Sequence, residues 1–365
     1  MTTFAFFGDE VITKAFITVF TEARYSQAPS SSAEVILTYQ ASLSGLEELY
    51  FGDDGIVMNA CDGAVFVDLS PTVPSFADEL YQLATVNNAT LVAAPLIVKN
   101  PVMQQAFTPS NVMIVAGAEH AAYEQVRDLL QVLAKRVLFF GSVSEAQTYK
   151  MAHTVAHASG MVSLAESFAA LRGVGVDESL TSSVTCDPED LVDILTTSTG
   201  LSSGQDSFVQ AMIEFEFEGT YTVGIVMAEL AAALAWLEET DMLLPQADAS
   251  FHLYELLALV GGASYNPAAL SLLFAPEEET KAYNLNWSAV EERYDHESSN
   301  EYDEYVLDDY EAEYDDDRCV CGHDHHHHDH CGHDHNHGDC DHDHDMCDCD
   351  HDHGDSSRDY GFSAN

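Results

Sequence analysis

Thr2-Thr3-Phe4-Ala5-Phe6-Phe7-Gly8-Asp9-Glu10-Val11-Ile12 decides the architecture. A short apolar run stopped by glycine is the mark of a strand buried on both faces, and a helical period over 11–23 follows it. Further apolar runs at 34–39, 64–68, 90–93, 112–116 and 137–140 read as strands. Helical spacing at 75–84 and 121–134 separates them. Strands alternating with helices predict a mostly parallel sheet covered on both sides. After Val137-Leu138-Phe139-Phe140-Gly141 the pattern changes, and 144–171, 188–197, 223–239 and 251–260 all read as helix.

The fold class expected is therefore α/β: a truncated Rossmann-like sheet, an all-helical part and a disordered acidic tail. The boundaries read are 1–143 for the Rossmann-like domain, 144–276 for the helical domain, 277–318 for an acidic linker and 319–365 for the tail. The linker is set by Glu277-Glu278-Glu279 and the Tyr/Asp/Glu-rich stretch from Tyr294, where no core-forming period is visible.

The 365 residues hold 12 Lys plus Arg against 62 Asp plus Glu, a formal charge of -50. Residues 291–365 carry 26 acids and three arginines, so body and tail are both strongly acidic. Such a surface repels nucleic acid and anionic membranes and attracts cations. Neither nucleic acid nor membrane is expected as a partner. The longest apolar stretch, 231–237, is far below the ~20 residues a membrane helix needs. The start of the chain shows no basic leader or cleavage site, and the body has only Cys61 and Cys186, so a reducing cytoplasm is the expected location.

The tail holds 13 of the 18 histidines and six of the eight cysteines between Cys319 and His353. The donors are Cys319, Cys321, His323, His325, His326, His327, His328, His330, Cys331, His333, His335, His337, Cys340, His342, His344, Cys347, Cys349, His351 and His353. Imidazoles near pH 7 are mostly neutral, since they titrate around ~6.5, and offer a nitrogen lone pair. Thiolate, imidazole and carboxylate together suit nickel or zinc, with cobalt and copper next, far better than magnesium. Five His-Asp-His triplets and two Cys-x-Cys pairs give no single tetrahedral framework, so several exchanging sites are expected. An acidic tail with no metal role is the alternative, and it leaves the histidines and cysteines unexplained. His153 and His157, at i and i+4 on one helix, have chelating spacing but no visible third ligand; two surface histidines is the plainer reading.

Across 4–274 the ordered motifs resemble the β-hydroxyacid dehydrogenases, the family of 3-hydroxyisobutyrate dehydrogenase within the phosphogluconate dehydrogenase superfamily. Phe6-Phe7-Gly8 stands where its dinucleotide loop belongs, and Asp68-Leu69-Ser70-Pro71 resembles its Asp-x-Ser-Thr. Ala94-Pro95 resembles the Ala-Pro before its Ser-Gly-Gly, and Gly141 to Lys150 the approach to its catalytic lysine. The resemblance implies NAD(P) held near Gly8, Asp68 and Ser70. It also implies Lys150 as the general acid and base of hydride transfer to or from a small hydroxy acid, and a homodimer through the helical domain.

The chain departs from that pattern. Gly-x-Gly-x-x-Gly becomes Gly8, Glu10 and Thr13, which sets a carboxylate against a diphosphate. From Gly8 the chain reaches Glu34 with no room for the second and third strands; taking 16–20 as the second strand would consume the first helix. Ile97-Val98-Lys99 replaces Ser-Gly-Gly, Thr154 replaces the asparagine after the lysine, Ala228-Glu229 replaces a Lys-Asp pair, and Asn266 replaces a late aspartate. For Lys150 the alternative to catalysis is a stem packed on its helix with the charge in water. The expected function is a dehydrogenase-like body with a degraded cofactor site, whose tail stores or delivers metal, with a metalloenzyme or metallochaperone as the receiving partner. The alternative is an active NAD(P)-dependent oxidoreductase using Lys150, with the tail as accessory.

Overall fold

The apolar runs of the first 140 residues assemble as one sheet flanked by helices in a computed structural model that describes residues 2–52, 55–173, 195, 204–276 and 280–290. Its elements are β1 (Thr3–Gly8), α1 (Glu10–Glu22), β2 (Ser26–Gln27), β3 (Val35–Tyr39), α2 (Leu43–Phe51), β4 (Val65–Asp68) and α3 (Pro74–Val86). Next come β5 (Thr90–Ala93), β6 (Leu96–Val98), β7 (Val112–Gly117), α4 (His120–Leu133) and β8 (Arg136–Phe140). The helical part contains α5 (Val143–Gly173), α6 (Gln205–Glu214), α7 (Val223–Glu239) and α8 (Pro245–Leu259).

Strand order among the described residues is β2-β1-β3-β4-β5-β7-β6, with β8 on the other side of β7. β2, β1, β3, β4 and β5 run parallel, while β7 is antiparallel to β5 and β6. Pro95 bends the chain between β5 and β6, so one segment pairs with β4 in its first half and β7 in its second.

Alternation along the strands splits the core in two. Phe4, Phe6, Val35, Leu37, Val65 and Val67 face α1, α4 and the helical part. Ala5, Ile36 and Phe66 face α2 and α3 through Leu46, Tyr50, Ala77 and Leu80. With both faces covered the strands carry no polar alternation, which is why each reads as a continuous apolar run.

Two sequence expectations are corrected here. A second strand does survive after α1: Thr3 and Phe4 pair with Ser26 and Gln27. It is two residues long, too short to give a periodic signal, and 16–20 is helical with Phe16 and Phe20 in the core. The assignment of all of 277–318 to a solvated linker also fails for 280–290. There Thr280 is buried, and Tyr283, Leu285, Trp287 and Val290 pack on the core. The N–H of Asn286 donates to Val260 O at 2.8 Å, tying this stretch to the end of α8. The helix read at 188–197 and the tail donors from Cys319 to His353 lie outside the described residues. No helix among those described is long and apolar enough to cross a membrane.

Candidate active site

The carboxyl ends of the parallel strands converge on the first turns of α5. Ser142 starts that helix: its Oγ accepts from Glu145 N at 3.1 Å, and Glu145 Oε2 reaches back past the cap to accept from Gly141 N at 3.0 Å, one residue earlier than in a capping box. This start turns Gln147 and Lys150, three residues apart on one face, inward. Gln147 Nε2 donates to Ser70 O at 2.9 Å and its Oε1 accepts from Thr72 N at 3.1 Å, locking α5 to the chain beyond β4.

Asp68 and Ser70 are brought together there. Asp68 Oδ1 accepts from Ser70 Oγ at 2.6 Å and from Thr38 Oγ1 at 2.8 Å. Burial lifts the Asp68 carboxyl from 3.8 to about 6, against the pull of these hydrogen bonds. Ser70 Oγ also accepts from Gln40 N at 3.0 Å. The pair therefore bridges the ends of β3 and β4 and is wholly buried.

Lys150 is 1% exposed, so its charge does not reach water. It meets Glu229 instead, with Nζ to Oε2 at 2.7 Å. The same oxygen accepts from Tyr221 OH at 2.9 Å, and Thr154 Oγ1 lies at 3.5 Å. Glu229 is the residue that sequence reasoning registered only as a lost Lys-Asp pair. Its signal was available: it is the sole charge within the apolar run 223–237 of α7.

Gly8 ends β1 at φ 123°, and a Cβ there would meet Tyr39 O at 1.8 Å. Glycine is thus required by the approach of β3 alone, whatever the loop binds. Asp9 then caps α1, its Oδ1 accepting from Val11 N at 3.0 Å and Ile12 N at 3.2 Å. Glu10 lies exposed in the first turn, paired with Lys14 at 2.5 Å. Thr13, at the third glycine position, buries a hydroxyl with no hydrogen-bond partner. A dinucleotide diphosphate needs free N–H groups and positive potential at a helix N-terminus. Here those groups hold the chain's own carboxylate, and the residues present do not fit that ligand.

Between this turn and Glu229 runs a chain of aromatic contacts. Tyr39 lies 6.0 Å from Phe107, which lies 6.2 Å from Tyr221, and none of the three is more than 4% exposed. The Tyr39 phenol is pushed well above its ordinary range by burial first, then by the carboxylates of Glu229, Asp9 and Asp68. Lys99, replacing a family glycine, donates its ammonium to Ser110 O.

His153 and His157 are not simple surface residues. Their rings stack 5.2 Å apart, and His153 Nδ1 and His157 Nε2 are buried without a partner. Burial, then His157, then Lys150 push His153 down to about 2; burial, then Lys150, push His157 to about 4. Among the described residues no group of three His, Cys, Asp or Glu side chains is placed to hold a metal.

Strand order, the bent β5–β6 segment and the long α5 define a Rossmann-type dehydrogenase-like protein. Residues 9–141 match the family described as the NAD binding domain of 6-phosphogluconate dehydrogenase. An uncharacterized oxidoreductase of Bacillus subtilis is 26% identical over 232 residues, 64% of this chain and 76% of that protein. The 2-(hydroxymethyl)glutarate dehydrogenase of Eubacterium barkeri is 23% identical over 232 residues, 63% of this chain and 72% of that protein. The crystal structure of 3-hydroxyisobutyrate dehydrogenase from Salmonella typhimurium superposes with a TM-score of 0.62 at 14% identity, over 75% of this chain and 100% of the other. Residues 9–141 thus carry the NAD-binding domain of the 6-phosphogluconate dehydrogenase family, and the body as a whole is similar to 3-hydroxyisobutyrate dehydrogenase-like β-hydroxyacid dehydrogenases.

Proposed function

We propose that this chain is a dehydrogenase-fold protein that no longer transfers hydride, and that its tail binds a transition metal for storage or delivery. The observation that carries the first half is the carboxylate of Asp9 on the N–H groups of Val11 and Ile12, where a diphosphate would have to sit. The Lys150 charge, matched by Glu229 in the core, supports the same reading. The second half rests on donor density: 13 histidines and six cysteines between Cys319 and His353, interleaved with aspartate. Nickel or zinc is the metal this donor set favours, ahead of cobalt and copper. A homodimer through the helical domain and a metalloenzyme or metallochaperone that receives the metal complete the proposal.

The experiment has two arms. NADH and NADPH are titrated into the full chain by fluorescence, with no saturation expected up to millimolar cofactor. Ni²⁺ and Zn²⁺ are dialysed against the full chain and against a chain lacking residues 319–365, and only the full chain should retain several ions. Saturable dinucleotide binding would restore the alternative, an active oxidoreductase of a small hydroxy acid. That alternative is favoured by one observation, the survival of Lys150 in the helix locked by Gln147 to Ser70 and Thr72. Equal metal retention by both chains would remove the tail from the account.

A further inference from the structure

Asn266 is fully buried, and its N–H donors all point at one stretch of chain. Its Nδ2 donates to Glu216 O at 3.0 Å and to Glu218 O at 3.2 Å, and its own N–H donates to Phe217 O at 2.8 Å. Held from that side, the stretch alternates: Phe217 is 3% exposed, while Glu216 and Glu218 face outward. Phe215, left-handed at φ 57° where α6 ends, turns the chain into this clamp.

The result is a cavity of about 740 Å³ between the end of α6, the clamped stretch and the loop 100–104. Its size is that of a small-molecule site. Four of its walls are aromatic: Phe215, Phe217, Tyr265 and Tyr283. The rings of Phe217 and Tyr265 stand at 66° and 89° to that of Tyr283, with centroids 5.1 and 6.1 Å away. Phe215 is parallel to Tyr283 within 14° at 6.5 Å. Ring planes at right angles present π-faces along more than one direction. Glu214, Glu216 and Glu218 add three carboxylates, and among the described residues no Lys, Arg or His lines the space. Glu214 is steadied by Gln210, whose Nε2 donates to its Oε1.

Both features select the same chemistry. The face of an aromatic ring is negative and attracts a cation, most strongly one that gives up its water easily. The carboxylates add Coulombic attraction and exclude anions. A neutral apolar ligand would leave the glutamates unused, and a small hydrated ion such as K⁺ would leave the rings unused. We infer that this cavity is a binding site for a small organic ammonium ion, seated against Tyr283 and its neighbouring rings with Glu216 and Glu218 at the mouth. None of the residues of the nucleotide turn lines this site.

Choline is the probe, titrated calorimetrically into the full chain in roughly 150 mM potassium chloride, where diffuse charge is screened beyond about 8 Å. Its neutral isostere, with a quaternary carbon in place of nitrogen, is titrated in parallel. Choline should saturate and the isostere should bind about tenfold more weakly. Tyr283→Ala should lower choline affinity about tenfold while Tyr283→Phe keeps it, since the ring and not the hydroxyl is the contact. The Tyr283 hydroxyl donates to Phe215 O at 3.4 Å, so Glu216→Gln serves as a second variant that leaves the ring walls in place, with a several-fold loss expected. Equal binding of choline and isostere, no saturation by choline, or an unchanged affinity in both Tyr283→Ala and Glu216→Gln would each overturn the proposal. The first result means apolar burial alone, and the last means diffuse attraction by an acidic chain.

Discussion

Lys150 Nζ lies 2.7 Å from Glu229 Oε2, with side-chain exposures of 1% and 5%, so α5 and α7 are joined by an ion pair taken out of water. Desolvating two charges is costly, and only close geometry with further hydrogen bonds offsets it. Both conditions are met: Tyr221 donates to the same carboxylate oxygen at 2.9 Å. The pair is a structural unit of the body before it is anything else.

Removing one partner leaves the other charged in the core. Lys150→Met and Glu229→Leu should each cost about 3–5 kcal/mol in denaturant unfolding. The double variant Lys150→Met/Glu229→Leu should recover much of that loss, short of all of it because Tyr221 and Thr154 lose their acceptor. Additive single losses would show that the two residues are not coupled.

The β1–α1 turn makes two predictions of opposite sign. Asp9→Ala frees the N–H groups of Val11 and Ile12 and should cost about 1 kcal/mol. Thr13→Val removes a buried hydroxyl without a partner at nearly constant shape and should stabilise by about 1 kcal/mol. Thermal melts of the three proteins read both effects. A destabilised Thr13→Val would mean that its hydroxyl is satisfied after all.

Most of this fold is legible in the chain because its strands are buried on both faces. The runs at β1, β3, β4, β5, β7 and β8 are all apolar and bounded by turn residues. Four elements escaped. β2 has two residues, β6 sits directly behind Pro95, α2 buries only Leu46 and Tyr50 beside Gly45, and α6 is a ten-residue helix between Gly204 and Phe215. At the site, motif order pointed to Gly8, Asp68, Ser70 and Lys150; the structure ties Asp68 to Ser70 and Ser70 to Gln147, and sets Lys150, one turn further along α5, against Glu229. The partner of Lys150 was not legible, since a contact between distant helices leaves no periodic trace. Glu229 stood out only as a charge among apolar neighbours.

Stability should respond to pH through three buried groups that oppose one another. His153 and His157 are held at about 2 and about 4, so between those values and ~6.5 the unfolded chain binds more protons and acid destabilises the fold. Asp68 is raised from 3.8 to about 6, so its contribution is complete below ~3.8 and is lost as pH rises through 6. Near pH 5 the two histidines favour higher pH and Asp68 opposes them. Asp68→Asn should therefore steepen the acid loss by about 1.4 kcal/mol per pH unit around pH 5, and His157→Gln should flatten it by a similar amount. Urea unfolding at half-unit steps from pH 4 to 7 measures both slopes. Parallel curves for wild type and Asp68→Asn would mean that this carboxyl titrates alike in folded and unfolded chains.

The tail predicts a second pH response, at a different place and of a different kind. Metal binding needs neutral imidazole and deprotonated thiol, so protons compete with the ion for each donor. With 13 histidines against six cysteines between Cys319 and His353, the imidazole range should dominate the competition. Nickel retained by the full chain in equilibrium dialysis should fall steeply between about pH 7 and pH 5.5, centred near ~6.5. Replacing the thirteen tail histidines by asparagine should abolish that step and leave a smaller, thiol-dependent capacity that grows as pH rises toward the ~8.5 of a free thiol and declines on acidification. Retention that is flat from pH 7 to 5.5 would place the ions on carboxylates, which stay ionised throughout that interval. The choice of nickel or zinc over a hard cation such as magnesium would then fall with it.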